Sequence, residues 1–177
     1  MEAVPDSDPV GSAEAEAGDT PVEPVPDPVG RIVVGLDDSE QAIAALRWAL
    51  EEAALRQVPV EVVHTWSPPT SYLPFDVTLT SNVDDATIDA AAREFADGMV
   101  AKALETSPDP TVDVQVTILP GPPALILTEV AADADLLVVG SHGRTGIKRF
   151  VLGSVAMSVV QHAPCHTVVV RVPDAEE

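Results

Sequence analysis

The apolar run Leu136-Leu137-Val138-Val139 ends on Gly140, passes through Ser141-His142-Gly143, and after nine further residues reaches Gly153-Ser154-Val155 at the head of a helical pattern. A strand that empties into a glycine loop and then a helix is the shape of an anion site. Glycine lets the main chain come close to a ligand, and the amides that open a helix have no partners within it. Arg144, Lys148 and Arg149 bring three of the chain's nine basic residues into this stretch, in a protein of net charge −20. Cations so placed favour a bound polyanion. The two common phosphate signatures do not fit: Gly146 is followed by Ile147 rather than by Lys and Ser or Thr, and Gly140, Gly143 and Gly146 recur in threes, unlike G-x-G-x-x-G.

The rest of the chain alternates strand and helix. A β-branched run over 31–36 ends in Asp37-Asp38-Ser39, where Ser39 is a good N-cap and Glu40 suits the first helical turn. Ile43, Leu46, Leu50 and Ala53 then recur at helical spacing to about Arg56. A second strand is expected over 58–65 and a proline-rich irregular stretch over 67–83. A helix over 84–105 follows, with Ile88, Ala92, Phe95 and Met99 on one stripe. Residues 112–119 alternate as a third strand, and Pro122 and Pro123 suit the first turn of a helix to about 132. A strand over 136–140, a helix over 153–162 and a strand over 166–172 complete the series. Such alternation specifies an α/β fold with a parallel sheet, but leaves the strand order open.

Gly140-x-x-Gly143, nine residues, then Gly153-Ser154 resembles the nucleotide motif of the universal stress protein family. Arg31 to Glu40 resembles that family's opening strand and acidic turn, and Pro164 to Arg171 its closing strand, so the resemblance covers about residues 30–172. It implies a five-stranded sheet of order 3-2-1-4-5 with helices on both faces, Rossmann-like and akin to the adenine nucleotide α-hydrolases. Ligands of such sheets bind at the switch point outside the carboxyl ends of the strands. The resemblance further implies that Gly140 and Gly143 admit phosphates, and that Gly153, Ser154 and Val155 set a helix N-terminus against them. Asp37 would stand near adenine and ribose and reach a metal through water. Gly35 would line the same side, Thr65 would face adenine with its main chain, and Val139 would pack against base or ribose. Arg144 and Lys148 are the cations best placed for phosphate. The implied cofactor is ATP with Mg2+ or Mn2+; no metal ligand set is evident from spacing.

No catalytic residue is assigned. His142 is expected to order the loop, and His64, His162 and His166 are scattered without metal-ligand spacing. Cys165 reads as a small packing residue. The function expected is that of an ATP-binding regulatory module of the stress response. A slow ATPase or self-phosphorylating enzyme is one alternative, and an interaction protein that binds AMP, another nucleotide or none is the other.

Residues 1–29 carry eight acidic residues and no basic ones, without strand or helix period, and are expected to form a disordered acidic tail. A single domain over 30–172 and a short acidic end over 173–177 follow. Without the tail, 21 acidic residues still face nine basic ones, near −12, which disfavours nucleic acid and anionic membranes as partners. There is no run of 18 apolar residues, Glu2, Asp6 and Asp8 stand where an export signal would be basic, and one cysteine suits a reducing compartment. A cytoplasmic location is therefore expected. The fifth strand, a sheet edge in the implied order, carries Thr167 to Val170 without proline, and pairing of two copies through 166–172 into a homodimer is expected.

Overall fold

The computed structural model describes residues 30–67, 84–107, 111–143 and 152–172. The elements run β1 (Ile32–Leu36), α1 (Glu40–Arg56), β2 (Val60–Trp66), α2 (Asp85–Leu104), β3 (Val114–Pro120), α3 (Pro123–Val130) with a 3-10 turn at Ala131–Asp133, β4 (Leu136–Gly140), α4 (Ser154–His162) and β5 (His166–Val170). The acidic tail, the proline-rich stretch from 68 to 83, the loop segment from 144 to 151 with its three cations, and the C-terminal end lie outside the described residues.

The sheet has the order β3-β2-β1-β4-β5, and every neighbouring pair is parallel. β1 takes the centre because it is apolar on both faces, with Ile32, Val33 and Val34 fully buried. Side chains alternate across a strand. Ile32, Val34 and Leu36 therefore meet Leu46 and Leu50 of α1 and Val100 of α2 on one face. Val33 joins Val63, Leu137 and Val139 against Leu127 of α3 and Val159 of α4 on the other. Complete burial of Leu46 and Leu50 stabilises the first layer by about 2 kcal/mol each.

In one helix the core stripe differs from expectation. The buried residues of α2 are Ala92, Ala96, Val100 and Ala103, while Ile88, Phe95 and Met99 are not fully covered. Small side chains let the helix lie close to its neighbours, and the register that buries them turns Phe95 towards the carboxyl end of β2. Strand β5 ends at Val170, two residues earlier than the sequence pattern suggested.

The sheet opens at one place. β1 pairs with β2 through Leu36↔His64 but with β4 only as far as Val34↔Val138. Beyond that, Thr65 and Trp66 pair only with Leu119 and Pro120 of β3. Because the connections from β1 and β4 leave in opposite directions, their parting opens a crevice at the switch point. Among the described residues no helix is long and apolar enough to cross a membrane.

Candidate functional site

A cavity of about 820 Å³ fills this crevice, within the usual range for small-molecule sites. Gly35, Asp37, Thr65, Val139, Gly140, Gly143, Gly153, Ser154 and Val155 all line it. The site residues expected from sequence therefore converge on one space, except Arg144, which lies outside the described residues.

The glycines differ in what they accommodate. A Cβ on Gly140 would lie 2.8 Å from the carbonyl carbon and Cβ of Gln41, so this glycine lets β4 pass against the first turn of α1. A Cβ on Gly35 would lie 2.9 Å from Leu127 Cδ1, under α3. At Gly153 the tight neighbours are His142 Cα at 3.3 Å and the Ser141 carbonyl at 3.4 Å, and the Gly153 amide donates to that carbonyl at 2.8 Å. Gly153 thus holds the two halves of the loop together. At Gly143 a Cβ would meet the Asp37 carboxylate, 2.7 Å from Oδ2.

Asp37 is held in place from its own turn. Its Oδ1 accepts from the Ser39 amide at 3.0 Å and from the Ser39 hydroxyl. Ser39 in turn caps α1, its Oγ accepting from the Ala42 amide at 3.1 Å. One buried serine therefore both starts the helix and orients the carboxylate that faces Gly143.

The N-terminus of α4 faces the same cavity. Its cap is Gly153, and among the described residues no side chain satisfies the first turn, so the amides of Ser154, Val155 and Ala156 open towards the cavity these residues line. An anion there meets unpaired donors at a positive dipole end. His142 pairs Nδ1 with the Ser141 hydroxyl at 3.1 Å, as expected of a loop-ordering residue, while its buried Nε2 has no partner among the described residues.

Sequence reasoning missed the wall opposite the glycine loop. His64 and Trp66 project from β2 towards α2, where His64 stacks on Phe95 with ring centroids 5.1 Å apart and the Trp66 indole donates to Asp89. His64, Trp66 and Phe95 all line the cavity, as do Pro123 and Leu127. The only available signal was the adjacency of His64 and Trp66 to Thr65.

Among the described residues no three His, Cys, Asp or Glu side chains gather to hold a metal. His162 and His166 are exposed and away from the cavity. Burial raises the pKa of the Cys165 thiol above its ordinary value, which disfavours the thiolate and leaves it a packing residue against the core cluster that includes Leu137 and Val159.

The profile of the Universal stress protein family matches residues 28–171. The chain belongs to that family. Among its relatives is universal stress protein Rv2005c of Mycobacterium tuberculosis, 31% identical over 152 residues, a match covering 81% of this chain and 48% of the relative. The chain thus spans about half the length of the curated relatives it matches. Similar solved structures include UspA from Lactobacillus plantarum, at TM-score 0.64 and 24% identity over 82% of this chain and 99% of that one. Another is the Archaeoglobus fulgidus universal stress protein solved in complex with dAMP, at TM-score 0.54 and 26% identity over 80% and 97% of the two chains. The family's sheet order is the order found here.

Proposed function

We propose that the crevice binds an adenine nucleotide, ATP with Mg2+ or Mn2+ in its fullest form, and that the bound state is a regulatory signal of the stress response. The observation that carries this reading is the meeting of an open helix N-terminus, Gly143 and a pinned carboxylate where β1 and β4 part. The Archaeoglobus relative solved with dAMP supports adenine as the base. Phosphates would lie against the amides of Ser154 and Val155, beside Gly143, with Arg144 supplying charge. Thr65 would offer the main-chain groups that β1 leaves unpaired, and Val139 and Gly35 would floor the base and ribose. A magnesium or manganese ion would be held by phosphate oxygens with Asp37 beside them.

Denaturing the purified protein and identifying released nucleotide by chromatography tests the reading directly. Gly143→Val is the sharper variant, because among the described residues only the Asp37 carboxylate lies within 4 Å of the added Cβ. A folded Gly143→Val protein should lose nucleotide affinity by about tenfold or more, the scale of an anion site whose main chain is blocked. Unchanged affinity by calorimetry would remove the loop from the site.

Two copies are proposed to pair through β5, whose one neighbour among the described strands is β4. Light scattering on Val169→Pro, which removes an edge amide, should show dimer converted towards monomer. A wild type that stays monomeric at high micromolar concentration would refute the pairing.

A further inference from the structure

We infer that the flank of α4 beside β5, built from Met157 and Val160, is the apolar part of an interface with a second copy of this chain. It rests on the β5 pairing proposed above. Ala156 and Val159 are both buried and set the core direction of α4. A helix turns about 100° per residue, so Val160 points about 70° from that direction, and Ser158 about 130° from it on the opposite side. By angle alone Val160 would be the better covered. The reverse is found. Val160 is 52% exposed and Met157, on the same side, 40%, whereas Ser158 is partly covered.

Handedness identifies the bare flank. β4 and β5 are parallel neighbours, and the connection between them runs through α4. Such crossovers are right-handed, which turns Met157 and Val160 towards the β5 edge and Ser158 towards the middle of the sheet. Val169 of β5 packs on the cluster that holds Ala156 and Val159, so α4 rests on the edge strand itself. Antiparallel pairing of two β5 strands about a two-fold axis normal to the sheet keeps both α4 helices on one face, each turning Met157 and Val160 to the axis. Charge selects the same occupant. Copies of net charge −20 repel across most of their surface, yet α4 contains no Asp, Glu, Lys or Arg. The flank thus offers an uncharged, self-complementary patch where an interface core excludes charge.

Sedimentation equilibrium on the full chain compares wild type with Val160→Glu, Val160→Lys and Gln161→Glu. Across a two-fold contact Val160→Glu sets two carboxylates against each other, and the dimer dissociation constant should rise about a hundredfold or more. Val160→Lys should weaken the dimer too, although it lowers the net charge. Gln161→Glu adds the same charge about 100° further round the helix, facing solvent, and should leave the dimer within about threefold of wild type. Val160 is exposed, so its variants should keep the wild-type fold; if they do not, Met157→Glu is read in their place. A Val160→Lys dimer tighter than wild type, or equal weakening by Gln161→Glu, overturns the inference. Wild type that dimerises, weakens with Val169→Pro and is unchanged by Val160→Glu sinks the α4 flank alone. Wild type that stays monomeric at high micromolar concentration sinks the β5 pairing with it.

Discussion

At the amino ends of the strands, a polar cluster ties four neighbouring elements together; at the carboxyl ends of β1 and β4, glycines and the start of α4 leave main-chain groups open. Arg31, just before β1, holds Glu61 of β2 at 3.3 Å and donates to the Val130 carbonyl at 2.6 Å and to Asp133. Glu61 also accepts from Thr117 of β3 at 2.8 Å. Asp135 accepts from the Gly30 amide at 2.9 Å while its own amide donates to the Arg31 carbonyl. One cluster thus clamps β1, β2, β3 and the lead into β4. Across the sheet, the carboxyl ends present glycines, a helix start without a side-chain cap among the described residues, and a cavity. The contrast teaches a division of labour: rigidity secured at one end lets the other leave donors open, as the proposed nucleotide site requires.

Gly140 sits at the open end yet faces α1. If its role is close packing, Gly140→Ala should destabilise the protein by about 3 kcal/mol in urea unfolding, since the new Cβ would press on the main chain of Gln41 and Ala42. A loss under about 1 kcal/mol would show that β4 and α1 part easily, and that the open end contributes little to stability.

Next in size is the clamp. Arg31→Met should cost about 2 kcal/mol, because the Val130 carbonyl and the largely covered Glu61 carboxylate would lose a donor. Nucleotide affinity should stay within about twofold of wild type, a change of under about 0.5 kcal/mol. Equal damage to stability and affinity would mean that the two ends are coupled through the sheet rather than separately built.

How far these features could be read beforehand depends on their range in the chain. The strands were legible because runs such as Ile32 to Leu36 and Leu136 to Gly140 are apolar, short and bounded by turn residues. Asp37 and the glycine loop were legible as local patterns. The α2 stripe was legible only at Ala92, because period reasoning weights Phe95 and Met99, whereas close helix packing selected Ala96, Val100 and Ala103 beside it. Nor was the aromatic wall, since it joins residues 64 and 66 to 89 and 95 across a segment of no clear period. The packing role of Gly140 depends on where α1 lies, which a glycine spacing does not encode.

Ser39→Ala is a smaller change that probes both functions of one residue. Loss of the α1 cap should cost about 1 kcal/mol. Asp37 would lose the Ser39 hydroxyl donor and keep only the Ser39 amide, so nucleotide affinity should fall as well. A stability loss with unchanged affinity would show that Asp37 needs no orientation from its own turn, and would detach the acidic loop from the site.

The smallest effect belongs to the cap of α2, the helix that carries the Phe95 wall of the open end. The Asp84 carboxylate accepts from the Thr87 amide at 2.7 Å, and its bonds to Thr87 hold its pKa below the ordinary value. A folded pKa lower than the unfolded one contributes stability above the unfolded value, and that contribution is lost as pH falls through the folded value. Asp84→Ala should therefore lower the melting temperature slightly near neutral pH, and the gap to wild type should close as pH falls through the lowered pKa of the folded carboxylate. The carboxylate is fully exposed, so the gap should also shrink in salt. A gap of constant size from neutral to acid pH would show that the cap acts through shape alone, and that no charge at this end of α2 bears on how the open end is held.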